Sequence, residues 1–93
     1  MRQCFQDELR SNRIRRAQAC LEAWQTLQPR DTALRAGRGQ LAEKWIAVGG
    51  ERLGAGEVAF AAQALAEARA LDPQAPGLDA FGERVRTAQA ATP

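Results

Sequence analysis

Residues 42–75 carry the clearest helix–turn–helix pattern in this chain. Their sequence is AEKWIAVGGERLGAGEVAFAAQALAEARALDPQA. Apolar residues recur in this stretch every three or four positions, which places them on one face of a helix. The breakers at Gly54–Gly56 divide the stretch into two helical segments. Asp72-Pro73 ends the second segment, because proline cannot continue a helix. Since the connection is short, the two predicted helices should pack antiparallel.

The same alternation of helical segments and breakers extends over the whole chain. Further breakers fall at Ser11-Asn12 and Pro29, and a cluster runs from Pro73 to Gly77. Ala is the most frequent residue and Tyr is absent, a composition that favours helix. We therefore predict an all-α fold. The pattern predicts five helices, at about residues 2–10, 13–28, 32–53, 57–71 and 77–90.

Residues 42–75 resemble the tetratricopeptide repeat (TPR), a helix–turn–helix unit of about 34 residues. Arg52 departs from the family pattern, because it stands where the family has Tyr. The resemblance implies that Gly49 and Ala61 are small because the two helices of the repeat cross closely there. The positions that match the pattern are Trp45, Val48-Gly49, Gly56, Ala61, Leu65, Ala68 and Pro73.

Residues 1–31 resemble a degraded first copy of the repeat. Aligning Pro29 with Pro73 places Ala17 at the small position, but the two prolines are 44 residues apart. We therefore place about ten extra residues at the start of the third helix, in residues 32–41. The resemblance implies a single TPR-like domain over residues 1–93, made of a degenerate unit (1–31), an extended clear repeat (32–75) and a capping helix (76–93).

The resemblance also implies a function. In the proteins that this chain resembles, the first helix of each unit lines a concave groove that holds an extended peptide or a partner helix. We therefore expect a non-catalytic protein–protein interaction module. The alternative is a self-association or structural spacer segment of a larger bacterial envelope protein. The groove positions carried over are Glu43, Ile46, Gly50 and Leu53 in the clear repeat, and Arg2, Gln6 and Arg10 in the first unit.

The oligomeric state stays open at this point. Fewer than three full repeats are marginal for such a fold. We therefore expect either a homodimer or a fragment of a longer array. A homodimer would show a mass that depends on concentration, and a recruitment module would be a monomer with an open face.

Composition argues against catalysis and cofactors. The chain has no His, so histidine-based acid–base catalysis is excluded. Its two Cys cannot by themselves make a closed tetrahedral zinc site. The acidic residues show no paired-carboxylate or calcium-loop spacing. We therefore predict that the chain is not an enzyme and holds no cofactor.

The basic residues are concentrated near the start of the chain. Residues 1–30 hold six Arg against three acidic residues, and Arg10, Arg13, Arg15 and Arg16 form the densest run. Because this run lacks the interleaved aromatics that stack on bases, we interpret it as a solvated helix face and do not expect nucleic-acid binding. No apolar stretch approaches the length of about 20 residues that a spanning helix needs, so membrane insertion is not expected.

Cys4 and Cys20 flank the apolar faces of the first two predicted helices. An antiparallel hairpin about Ser11-Asn12 would place them at matching heights, with Cα atoms within disulfide range. Two interpretations stay open: a disulfide, or two small buried thiols. A disulfide would indicate the periplasm, and thiols would indicate the cytoplasm.

Overall fold

The computed structural model describes residues 1–91 and contains five α-helices. Each helix begins and ends within two residues of the predicted position, and no residue in the described range is in a strand. The all-α prediction is therefore confirmed. The helices are α1 (Arg2–Arg10), α2 (Ile14–Leu27), α3 (Leu34–Gly54), α4 (Val58–Leu71) and α5 (Leu78–Ala91).

The chain forms two compact units, and the boundary between them falls inside α3. Unit 1 is Met1–Leu41 and unit 2 is Ala42–Pro93. Unit 1 therefore holds α1, α2 and the first part of α3. Unit 2 holds the rest of α3 together with α4 and α5. Each unit is thus built from three helical segments.

In unit 1, α1 packs against α2 across the turn at residues 11–13. Asn12 takes a left-handed conformation there, with φ of 58°, which Asn tolerates better than most residues. The fully buried large side chains are Phe5, Leu21, Trp24 and Leu41, each at most 1% exposed. They come from all three helical segments, so unit 1 has a core of its own.

In unit 2, α4 packs against α5. Gly56 occupies the turn between α3 and α4 with φ of 85°, a conformation that glycine adopts without steric cost. The core is formed by Trp45, Phe81 and Val85, each at most 2% exposed, together with the alanines of α4. The ring centroids of Trp45 and Phe60 lie 6.3 Å apart at the edge of this core.

Several backbone hydrogen bonds at the turns of unit 1 have counterparts 44 residues later in unit 2. In the first turn the N–H of Asn12 donates to the carbonyl of Leu9, and the N–H of Gly56 donates to the carbonyl of Leu53. The helices α2 and α4 both contain 14 residues. The other matching bonds, donor first, are Ser11 to Asp7 and Ala55 to Glu51, Arg13 to Glu8 and Glu57 to Arg52, Gln28 to Trp24 and Asp72 to Ala68, Asp31 to Gln28 and Ala75 to Asp72, and Leu34 to Asp31 and Leu78 to Ala75.

The buried positions follow the same spacing. Every buried residue of unit 1 has a buried counterpart 44 positions later in unit 2. These pairs are Phe5 and Gly49, Ala17 and Ala61, Cys20 and Ala64, Leu21 and Leu65, Trp24 and Ala68, Leu34 and Leu78, Gly37 and Phe81, and Leu41 and Val85.

Large and small residues are exchanged between the two units at one contact. Unit 1 has Phe5 on α1 and Gly37 on α3, and a Cβ placed on Gly37 would lie 3.5 Å from the Phe5 ring. Unit 2 has Gly49 and Phe81 at the same two positions, and a Cβ on Gly49 would lie 2.5 Å from Cζ of Phe81. The glycine lets an aromatic ring fill the space in both units, from opposite sides of the contact.

Two details of the sequence interpretation differ from the structure. The Cβ atom closest to the Gly49 position belongs to Ala64, at 2.8 Å, whereas the repeat pattern indicated Ala61. Ala61 is fully buried within the same unit. The helical spacing of apolar residues in 13–28 predicts that Leu27 shares a buried stripe with Leu21 and Trp24. Leu27 is instead 66% exposed, because α2 ends at this residue and the chain turns away.

We expect Gly49→Ala to destabilise the protein by about 1–3 kcal/mol, because the added methyl would overlap the buried ring of Phe81. This cost should exceed the gain of up to about 1 kcal/mol that alanine brings to a helix interior. The free energy of unfolding from urea titration checks it. Gly54→Ala is the matched control, since a Cβ there meets nothing within 4 Å. Equal stability of Gly49→Ala and the parent would contradict the prediction.

Candidate partner-binding surface

The three predicted groove residues of unit 1 lie on α1, four positions apart, and each is engaged inside unit 1. Nε2 of Gln6 donates to Oε1 of Gln40 at 3.1 Å. Nη2 of Arg10 donates to Oδ1 of Asp7 at 2.9 Å. Arg2 contacts the turn between α2 and α3. All three predicted groove side chains of unit 1 are therefore held in polar contacts within that unit.

Arg2 belongs to a cluster with Trp24 and Asp31. Nη2 of Arg2 lies 3.0 and 2.9 Å from the two carboxylate oxygens of Asp31. The guanidinium lies 5.5 Å from the ring centroid of Trp24, within cation–π range. Asp31 also accepts bonds from Nε1 of Trp24, at 3.0 Å, and from the backbone N–H of Ala33, at 2.9 Å. The cluster therefore ties the start of α1 to the end of α2 and the start of α3.

The sequence interpretation missed this cluster. The sequence predicts only that Asp31 or Thr32 caps the third helix and that Trp24 lies in the core. In the structure Asp31 accepts the N–H of Ala33, and Trp24 is buried. Arg2 and Asp31 are 29 residues apart, and no local spacing signals that they meet.

We expect the stability that Asp31 contributes to be lost in acid. The backbone N–H of Ala33, the Trp24 indole N–H and the Arg2 guanidinium lower the pKa of Asp31 below its ordinary 3.8. Because the folded-state pKa is the lower one, the contribution is fully present above the ordinary pKa and is lost as pH falls through the folded-state value. Thermal unfolding between about pH 5 and pH 2 should show it.

Two variants make this measurement specific. Asp31→Asn should show a shallower fall of melting temperature with acid than the parent. Asp79→Asn removes an exposed carboxylate outside the cluster and should behave as the parent does. A parent and an Asp31→Asn variant with parallel profiles would contradict the role of Asp31.

The predicted groove residues of unit 2 follow one side of α3. Glu43 is exposed, and the other three are half-buried. Cγ2 of Ile46 is 3.9 Å from a Cβ placed on Gly77, at the start of α5. A Cβ placed on Gly50 would be 3.4 Å from Nη1 of Arg84. This side of α3 therefore runs along α5.

Leu53, the last of these residues, lines an open cleft within unit 2. The cleft has a volume of about 410 Å³. Its walls are apolar apart from the charged groups of two α5 residues and one hydroxyl. Because α5 was predicted as a cap, the sequence interpretation did not include its residues in the groove. The lining residues are Leu53, Glu83, Arg84, Thr87, Ala88 and Ala91.

The arginine run near the start of the chain is partly neutralised by neighbouring carboxylates. Arg13 lies 2.6 Å from Glu8 across the first turn, and Arg10 pairs with Asp7. Arg15 and Arg16 are exposed on α2. Phe5 and Trp24, the two aromatic residues of unit 1, are at most 1% exposed, so neither ring offers a surface for base stacking.

Cys4 on α1 and Cys20 on α2 are placed for a disulfide. Their Cα atoms are 5.8 Å apart and their sulfur atoms are at bonding distance. A disulfide requires Cα atoms about 4.4–6.8 Å apart. Cys20 is 7% exposed, and Cys4 is half-buried. The bond would close a loop around the first turn and attach the short α1 to α2.

Within residues 1–91, no group of three or more potential metal-ligating side chains is brought together. None of the five helices combines the length and the apolar character that crossing a bilayer requires. The chain matches no protein-family model, and neither a curated protein nor a solved structure matches it.

Proposed function

We propose that this chain is a non-catalytic protein–protein interaction module, and that the cleft of unit 2 receives an apolar side chain from a partner peptide or helix. One observation carries the proposal. Leu53, a groove position implied by the TPR resemblance, lies in the wall of an apolar, solvent-open cleft. Burial of apolar surface is the main favourable term in most protein association.

The character of α5 supports a TPR-like arrangement with a closing helix. Ala42 and Trp45 are buried in α3, but their counterparts 44 positions later, Arg86 and Gln89, are exposed on α5. Polar residues on the outer face are what a terminal helix of a repeat array requires for solubility. The turns of unit 1 and unit 2 each contain hydrogen bonds at corresponding positions, and this correspondence supports an array of two related units.

A selection of partner peptides tests the proposal. We expect peptides with an exposed apolar anchor to be selected from a displayed library, and amide shifts of Leu53, Thr87 and Ala91 to change on binding. Thr87→Arg should weaken binding by at least about tenfold, because the long side chain would fill the cleft. Ala66→Arg is the matched control, since Ala66 is exposed on α4 and lies outside the cleft.

Either of two results would overturn the interaction module. The first is a library that yields no binder. The second is a set of binders whose affinity is the same for the parent, Thr87→Arg and Ala66→Arg.

The alternative function is a self-association or spacer segment of a larger bacterial envelope protein, and the Cys4–Cys20 geometry favours it. Disulfides persist in oxidising compartments such as the bacterial periplasm and are rare in the cytosol. A disulfide-bonded chain would therefore belong to the envelope. Mass spectrometry after alkylation without reductant, on the chain purified from its natural host, tests the envelope location that this alternative requires. Unmodified cysteines indicate the periplasm, and two alkylated cysteines indicate the cytoplasm and overturn the alternative.

A further inference from the structure

We propose that the cleft of unit 2 binds unit 1 of a second copy of this chain, and that Leu27 is the side chain that enters the cleft. This inference rests on the proposed role of the cleft as a protein-binding site, and it names the partner.

Leu27 is the most exposed large apolar side chain in the described part of the chain. It is 66% exposed, and the next, Met1, is 47% exposed. Its counterpart 44 positions later, Leu71, is half-buried. Leu27 ends α2 and is followed by the exposed Gln28, Pro29 and Arg30. It therefore projects at the end of a helix, where a cleft on another molecule can reach it.

The two units carry opposite net charges. Residues 1–41 hold eight basic and four acidic residues, a net charge of +4. Residues 42–93 hold five basic and seven acidic residues, a net charge of −2. Attraction between opposite charges speeds encounters, and repulsion between like charges disfavours contact between two surfaces of the same sign. They therefore favour contact between unit 1 of one copy and unit 2 of another over contact between two identical units.

The outer face of α5 is a poor alternative surface for this contact. Arg86 and Gln89 lie on it, and Arg86 is paired with Glu83. Covering that face with another helix would bury a guanidinium, which is costly unless it is fully paired. The cleft also has a guanidinium at its wall, that of Arg84, together with the carboxylate of Glu83, but it adds the apolar surface of Leu53, Ala88 and Ala91 that an apolar side chain requires.

Each copy supplies one Leu27 and one cleft. If two copies fill each other's clefts, the result is an isologous two-fold dimer; if each copy fills the cleft of the next, the contact is heterologous and forms a ring or an open chain. In both cases the mass in solution rises with concentration. Because unit 1 of one copy and unit 2 of the other carry opposite net charges, the association of copies should weaken as salt is added.

Sedimentation equilibrium over a dilution series tests the proposal with two variants and their mixture. Leu27→Gln removes the apolar side chain, and Thr87→Arg fills the cleft. Each variant alone should associate at least about tenfold more weakly than the parent. The mixture should associate more strongly than either variant, because Leu27→Gln keeps its cleft and Thr87→Arg keeps its Leu27. Ala19→Gln and Ala66→Arg, at exposed positions of α2 and α4, are the matched controls and should behave as the parent does.

The outcomes separate this inference from the proposed function. A parent that stays monomeric at every concentration, or a Leu27→Gln variant that associates like the parent, overturns self-association. If library peptides still bind the parent and bind Thr87→Arg more weakly, the cleft is a protein-binding site whose partner is a different protein. If the mixture associates no more strongly than the single variants, Leu27 does not enter the cleft of a second copy, and the proposal is overturned.

Discussion

Replacing Trp24 by alanine is expected to lower the free energy of unfolding by about 3–5 kcal/mol. The ring is 1% exposed, its centroid lies 5.9 Å from that of Phe5, and Cζ3 is 3.0 Å from the position of a Cβ on Gly37. Removing it leaves a cavity at the centre of unit 1. It also removes the hydrogen bond from the indole N–H to Asp31 and the cation–π contact between the ring and Arg2.

A loss of this size is large against the total stability of a small domain, about 5–15 kcal/mol. Urea unfolding followed by circular dichroism measures it. The fluorescence of Trp45, the only other Trp in the sequence, reports separately on unit 2. Trp24→Phe is the matched control: it keeps most of the ring and loses the N–H, so it should cost only about 1–2 kcal/mol. A loss below about 1 kcal/mol for Trp24→Ala would contradict the packing described.

Loss of the Cys4–Cys20 bond is expected to cost about 3 kcal/mol, the second-largest effect. The two cysteines are 16 residues apart, and the chain-entropy model assigns about this much to a loop of that length. The helix α1 contains nine residues and one buried side chain, Phe5. A helix this short is not stable by itself in water. Its amides should therefore exchange faster after reduction, while those of α4 keep their protection.

Two measurements check this prediction. The free energy of unfolding should fall by the same amount on adding reductant and in the double variant Cys4→Ala with Cys20→Ala. Reductant should not change the stability of the double variant, which serves as the control. Two reactive thiols in the denatured, unreduced chain would show that the cysteines are not bonded and would overturn the prediction.

The relation between the two units bears on the proposed function. Every buried position of unit 1 is also buried 44 residues later in unit 2, yet the side chains differ at most of these positions. An aromatic–glycine pair is kept in both units with its members exchanged. The two units also carry net charges of opposite sign. This difference in charge favours a contact between unit 1 of one copy and unit 2 of another, as the self-association proposal requires.

The number of helices and their ends could be predicted from the sequence alone. Helix formation is governed by local propensity, and chain breaks are made by residues such as Pro29 and Gly56, whose effects are local. The closeness of Cys4 and Cys20 was also predicted from the sequence, as the consequence of an antiparallel hairpin about Ser11-Asn12. The spacing of 44 residues between Pro29 and Pro73 could be read directly.

The contacts between the helices are set by tertiary packing and could not be predicted from the sequence. The contact of Gly49 with Phe81, the Arg2–Trp24–Asp31 cluster, the exposure of Leu27 and the contribution of α5 to the cleft could not be read from spacing. Each depends on how far a helix is rotated about its own axis. That rotation is set by the volumes of side chains brought together from distant parts of the chain, and close packing allows few solutions. Local pattern thus determines where helices lie in the sequence, and packing determines which of their faces remain open to a partner.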